Sequence, residues 1–120
     1  AALPDQEVDS FVLDGELIAL TPHTSTTKAG LRTELKKVRA QGWAMDDREH
    51  KVNMRCIAVP VLDREGRAVA ALSATDDAER MDPQRQQEVR DALNEIAAAL
   101  RQKLYPVARP LPVRKALAAE

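Results

Sequence analysis

A thiol, a histidine and several carboxylates lie close together in the middle of this chain. Cys56 follows His50 within one short stretch, and the acidic side chains of Asp46, Asp47 and Glu49 stand just before them. A cysteine with a histidine as base could form a covalent intermediate. The same groups could bind Zn²⁺, which accepts nitrogen, oxygen and sulfur ligands. Both possibilities must be weighed against the spacing of these residues.

The sequence around Cys56 favours neither chemistry. Cys56 opens an apolar strand with no Gly-rich oxyanion turn beside it, whether His50 or His23 serves as base, and free cysteine is commonly buried. No CxxC or HxxxH spacing fixes a metal geometry, and an acidic cluster of this kind is more often a solvated turn. We therefore predict no catalytic residue, no metal and no cofactor, and a chain that is not an enzyme.

A ligand pocket is the third possibility. Ser73 and Thr75 are two residues apart in a predicted strand, so both side chains point to the same face. Apolar pockets gain specificity from a few convergent polar groups of this kind. Hydroxyls are also ordinary strand residues, so a purely structural role stays open for each of them.

Composition limits the other classes of partner. A chain of 120 residues is expected to form one domain. Its net charge of -1, with acidic and basic residues interspersed, gives no basic face for phosphates. The only aromatic residues, Phe11, Trp43 and Tyr105, offer no stacking surface for single-stranded nucleic acid. Direct nucleic-acid binding by this chain is therefore not predicted.

Cysteine usage and hydropathy indicate the compartment. Cys56 is the only cysteine, so it cannot form an internal disulfide. No charged and then apolar leader and no long apolar run is seen. We expect a cytoplasmic protein with no membrane partner.

Two helices are predicted in the first third of the chain. Pro4 suits a first helical turn, and that helix should stop near Asp14–Gly15. Residues 16–22 could extend it or form a strand, and Pro22 ends either one. Thr26 or Thr27 should cap a second helix that ends at Gly42. Its apolar positions recur at helical spacing, at Leu31, Leu35 and Val38. Its other face is basic and is expected to be solvated, with Arg32, Lys36, Lys37 and Arg39.

Two apolar runs, Cys56–Leu62 and Arg67–Thr75, are predicted to form an antiparallel hairpin around Asp63–Gly66. Pro60 has no N–H for the ladder, which indicates that its strand lies at an edge of the sheet or carries a bulge there. A long helix should begin at Asp82–Pro83 and pack on the hairpin. The expected contacts are Val89, Leu93, Ile96 and Leu100 against Val59, Val61, Val69 and Leu72. These elements predict an α+β domain over residues 1–104, with a Pro-rich extended or disordered tail over 105–120.

Several of these pieces occur in an order that resembles one family. A helix ends before Gly42, an aromatic-Ala-x-Asp-Asp-x-Glu turn follows over Trp43–Glu49, and Arg55–Val61 then reads Arg-Cys-Ile-Ala-x-Pro-Val. The pattern continues through Asp63–Gly66 to Val69–Thr75. It resembles the effector-binding domain of IclR-type bacterial transcription regulators over roughly residues 5 to 104.

The resemblance implies a GAF-like α+β fold, with an antiparallel sheet and flanking helices, that serves transcription regulation. Complete regulators of this family are about twice as long, so the chain is expected to be the C-terminal part of an effector-binding domain. DNA would be bound only through a winged helix-turn-helix that is not in this chain. Family members act as dimers or tetramers, and a homo-oligomer is expected here.

The resemblance also implies a site. Its ligand-contacting positions fall on Asp46, Cys56, Ser73 and Thr75, and the expected effector is a small organic acid. Asn53 stands where the family usually has glycine, and Thr75 replaces a more usual serine. The alternative is an oligomerisation or interaction module that does not sense small molecules.

Overall fold

The structure is a computed structural model that describes residues 1–10 and 14–107. The predicted tail falls mostly on residues 108–120, which lie outside the described residues. The elements in chain order are the helices and strands α1 (Asp5–Val8), α2 (Lys28–Gln41), β1 (Ala44–Asp47), β2 (Met54–Leu62), β3 (Ala68–Asp77) and α3 (Pro83–Leu104).

The three strands form one antiparallel sheet in the order β1-β2-β3, so β2 lies in the centre. The predicted hairpin is confirmed, with Cys56 opposite Thr75 in the β2–β3 register. Its turn is closed by Asp63, whose Oδ1 accepts hydrogen bonds from the Glu65 and Arg67 N–H groups at 3.0 and 2.8 Å. Gly66 has a φ of 80°, which is the left-handed conformation that favours glycine. The α+β class is confirmed.

β1 was not predicted, because the sequence around it was interpreted as an acidic turn. Its four residues include two aspartates, which are uncommon in strands, and pairing with β2 overrides that local preference. The pairing ends at Ala44 opposite Ala58. β2 is therefore the central strand and not the predicted edge strand, and its register shift lies after Val61 and not at Pro60. Pro60 itself lies where β3 is the only neighbouring strand among the described residues, so its missing N–H breaks no ladder with β1.

The core lies between one face of the sheet and α3. Ile57, Val59 and Val61 alternate along β2 and are at most 1% exposed. They pack with Met81, just before α3, and with Leu93 and Ala97 of α3. Asp82 caps this helix by accepting a hydrogen bond from the Arg85 N–H at 2.8 Å, and Pro83 stands in the first turn, as predicted.

Two residues predicted for this core are exposed. Ile96 is 55% exposed because the sheet covers a narrow stripe of α3 that runs through Leu93 and Ala97, and Ile96 lies at the edge of that stripe. Val69 is 50% exposed because it stands three residues from Leu72, so the two point to opposite faces of β3. The β2–β3 register also shifts between Val61 and Leu62, next to Val69.

The first third of the chain differs most from expectation. α1 is a single turn, and residues 11–13, where it was predicted to continue, lie outside the described residues. Residues 16–22 form neither the helix nor the strand considered for them.

α2 has the predicted ends. Thr27 accepts a hydrogen bond from the Gly30 N–H at 3.1 Å, and Gly42 has a φ of 82°. No residue of α2 is buried. Arg39, predicted to be solvated, instead donates to the Asp5 carboxylate at 2.6 Å and to the Leu3 carbonyl at 2.9 Å. The basic face of α2 therefore partly serves to hold the N-terminal residues.

Among the described residues, none of the helices has an apolar stretch of the length needed to span a bilayer.

A matched pair of substitutions tests this packing. Leu93→Ala should lower the free energy of unfolding by about 2–5 kcal/mol, because it opens a cavity under the sheet. Ile96→Ala, on the same helix but 55% exposed, should change it by only about 0.5 kcal/mol. Urea denaturation followed by circular dichroism measures both. Equal losses for the two variants would contradict the observed helix orientation.

Candidate ligand-binding site

α3 covers one face of the sheet, and the predicted site residues lie on the other face. Asp46 is directly opposite Cys56 in the β1–β2 register, and Cys56 is directly opposite Thr75 in the β2–β3 register. Directly opposed residues share a face, with their Cβ atoms about 4.5–5.5 Å apart. The three side chains therefore form one polar row across all three strands.

Ser73 belongs to the next row on the same face. It lies opposite Ala58, which in turn lies opposite Ala44. Beyond this row, Pro60 lies opposite Ala71. All four predicted residues thus share one face, and small side chains form its floor beside them.

A cavity of about 390 Å³ opens at the β1 end of this face. Asp46 and Cys56 line it, but Ser73 and Thr75 do not. These two hydroxyls are exposed and lie one strand further along the same face. The other lining residues come from the sheet, from the turn after β1 and from the segment before α2: Ala44, Met45, Ala58, Glu49, His50, Leu20 and Thr24.

The Asp46 carboxylate organises the turn after β1. Its Oδ1 accepts hydrogen bonds from the Glu49 N–H at 2.7 Å and from the His50 N–H at 3.3 Å. The turn also needs a positive φ, and Arg48 supplies it with a φ of 62°. Asn53, where the family usually has glycine, is not among the residues of positive φ.

Glu49 is the titratable group that the site perturbs. Partial burial raises the pKa of its carboxyl above the ordinary value of 4.5, and the nearby Asp46 carboxylate raises that pKa further. The cavity is thus acidic on its β1 side. Neither lysine nor arginine is among its lining residues.

Sequence reasoning missed the contribution of Thr21 and Thr24. Thr21 Oγ1 donates a hydrogen bond to the Arg48 carbonyl, and Thr24 Oγ1 donates one to the Glu49 carbonyl, both at 2.6 Å. Thr21 is only 9% exposed. No local signal in the sequence indicates a contact with a turn so distant in the chain.

The geometry also bears on the thiol and metal hypotheses. The Cys56 Sγ lies 3.9 Å from the Ile57 carbonyl oxygen, a weak contact within its own strand. His50 lines the same cavity, but no hydrogen bond joins its ring to the thiol. Within residues 1–10 and 14–107, no three His, Cys, Asp or Glu side chains are grouped so that they could hold a metal ion.

Comparison with known proteins identifies the class and then the family. The fold is that of the C-terminal, effector-binding domains of bacterial transcription regulators. The family described as "Bacterial transcriptional regulator IclR C-terminal" matches residues 1–102. This chain therefore belongs to the IclR family, as the resemblance predicted.

Three relatives show the extent of the similarity. The transcriptional regulator XynR of Escherichia coli is 33% identical over 107 residues, which are 88% of this chain and 42% of XynR. The C-terminal domain of E. coli KdgR superposes with a TM-score of 0.79 at 32% identity, covering 85% of this chain and 62% of that domain. A double mutant of the Acinetobacter PobR inducer-binding domain, solved with 3-hydroxybenzoic acid, has a TM-score of 0.75 at 30% identity. The match covers 82% of this chain and 57% of that domain. The chain thus spans well under half of the length of XynR.

The raised pKa of Glu49 predicts a pH effect on stability. A carboxyl whose pKa is higher in the folded than in the unfolded state contributes stability only while protonated, so that contribution is lost as pH rises through the window above 4.5. In Glu49→Gln, the glutamine side chain cannot ionise, so the variant should be more stable than the wild type at about pH 7 but not at about pH 4. Thermal melts at both pH values measure this. The control is Glu65→Gln in the exposed hairpin turn, and a pH-independent effect of Glu49→Gln would contradict the prediction.

Proposed function

We propose that this chain is the ligand-sensing and oligomerisation part of an IclR-type transcription regulator. The ligand is a small organic acid that binds on the sheet face opposite α3. The observation that supports this is the register that aligns Asp46, Cys56 and Thr75 in one row, with Ser73 beside it. DNA is bound by another part of the parent protein, and this chain is not itself an enzyme.

The distribution of polar groups favours one orientation of the ligand. Asp46 and Glu49 make the β1 end acidic, so a ligand carboxylate there would be repelled. At the β3 end, the hydroxyls of Ser73 and Thr75 can donate hydrogen bonds to a carboxylate. We therefore place the acid group near β3 and a donor group, such as a hydroxyl, near Asp46.

Two observations support a compact hydroxy acid. Beside the polar row, the face carries one small side chain on each strand, Ala44, Ala58 and Ala71, which leave room for a short carbon skeleton. The related PobR domain was solved with 3-hydroxybenzoic acid, which carries an acid and a hydroxyl group. For such a ligand to regulate, it must bind one arrangement of the oligomer more tightly than another.

The experiment is a binding and induction screen on the full-length regulator with small hydroxy and keto acids. In the variant Ser73→Val, in which a methyl group replaces the hydroxyl and a second methyl is added, the response to the best ligand should weaken by about 1–3 kcal/mol with DNA affinity unchanged. Thr33→Val, in which an exposed hydroxyl on α2 is lost, is the matched control. Unchanged induction in Ser73→Val would leave Ser73 with a structural role only.

The second function, self-association, is favoured by the outer edge of β3. β3 is ten residues long, and its outer edge has no strand partner among the described residues. From Ala68 to Thr75 it contains neither proline nor charge, the features that usually prevent pairing between edges. A second copy can satisfy such an edge by strand addition.

We expect this chain to self-associate in solution. We also expect only feeble binding of a small acid, because Ser73 and Thr75 at the β3 end of the site face are exposed. Multi-angle light scattering over a concentration series measures the mass. Val69→Lys places a charge on β3 and should shift the population toward monomer. Ala98→Lys, on the exposed side of α3, should not. A wild-type chain that stays monomeric throughout would refute the proposed edge pairing.

A further inference from the structure

The segment of residues 14–27, which we name the strap, runs past the β1 end of the site and leads into α2. Leu20 and Thr24 of the strap line the cavity that Asp46 and Cys56 also line. Within the described residues, every hydrogen bond from the strap to the turn after β1 is donated by Thr21 or Thr24 to the carbonyls of Arg48 and Glu49. One wall of the cavity is thus attached through two side chains.

These two hydroxyls are used almost to capacity. A hydroxyl can donate one hydrogen bond and accept two. Thr24 Oγ1 donates to the Glu49 carbonyl and accepts from the N–H groups of Leu20 at 3.1 Å and Thr21 at 2.9 Å. Thr21 Oγ1 donates to the Arg48 carbonyl and accepts from the His23 N–H at 3.1 Å. Valine has the same shape as threonine but can make none of these bonds, whereas serine can make all of them.

The strap is connected to the site through the Glu49 residue. Its N–H donates to the Asp46 carboxylate at 2.7 Å, and its carbonyl accepts from Thr24 at 2.6 Å. Movement of the strap therefore displaces the group that orients Asp46. On the other side, the strap continues into α2, and because no residue of α2 is buried, α2 can follow the strap without opening the core.

We propose that Thr21 and Thr24 form a latch that closes the strap over the cavity and positions the turn that orients Asp46. They are positioning residues, and opening of the latch sets access to Cys56. This proposal rests on the proposed function in one respect, namely that a ligand occupies this cavity. Its opening is a local event that leaves the packing of α3 on the sheet intact.

Cys56 gives a direct readout, because it is the only cysteine of the chain and lines the cavity. The rate of its alkylation by iodoacetamide, followed by intact mass, reports how often the cavity opens. Thr24→Val should raise this rate about five- to tenfold, as expected for the loss of a hydrogen bond of typical net strength. Thr24→Ser should restore the wild-type rate, and Thr33→Val should leave it unchanged.

A second control separates the latch from global unfolding. Val61→Ala weakens the core, in which Val61 is 1% exposed, but does not touch the strap. Compared at equal global stability, adjusted with denaturant, Thr24→Val should still be alkylated faster than Val61→Ala. Equal rates in these two variants, or a wild-type rate in Thr24→Val, would overturn the latch. Because no ligand is present, either result is independent of whether the small-acid site is correct.

Discussion

The packing of α3 against β2 is the constraint on which the rest of the structure depends. Ile57, Val59 and Val61 must all face the helix, because they form the part of the core that is buried most completely. A strand has a period of two, so burying these residues directs Cys56, Ala58 and Pro60 to the opposite face. The position of the thiol in the site is therefore fixed by the hydrophobic core and not by a contact of its own.

Arg55 links the end of β1 to the segment between β3 and α3. Its side chain lies on the α3 side of β2, where Nε donates to the Asp47 carboxylate at 2.7 Å and an Nη donates to the Ala78 carbonyl at 2.8 Å. One guanidinium group thus joins the end of β1 to the connection before α3. Because Asp47 is drawn toward Arg55, its neighbour Asp46 must point to the other face. The two consecutive aspartates therefore have separate roles, which follow from the ion pair of Asp47 with Arg55 and from the alternation of side chains along β1.

The sequence predicts those elements whose signals lie within the element itself, and it fails where a structure depends on contacts between distant segments. The β2–β3 hairpin and α3 were predicted because turn residues, caps and periodicity lie within the elements themselves. The shared face of Ser73 and Thr75 follows from the strand period. β1 was missed because its stability comes from pairing with β2, and Ile96 and Val69 were misplaced because helix spacing and apolar character do not show how much surface a three-stranded sheet covers. The attachment of Thr21 and Thr24 depends on a contact between distant segments, which no local pattern contains.

The unused hydrogen-bond acceptor sites of Asp46 determine how a ligand can act. An ionised carboxylate can accept about four hydrogen bonds. Oδ1 of Asp46 accepts two, from the N–H groups of Glu49 and His50. A ligand donor can therefore bind Asp46 without displacing the turn, and its charge-assisted hydrogen bond would hold the carboxylate in place. Under the proposed function, a ligand bound in this way would stabilise the closed arrangement of the turn and the strap. Any conformational bias would then come from ordering α2 at the end of the strap and not from rearranging the core.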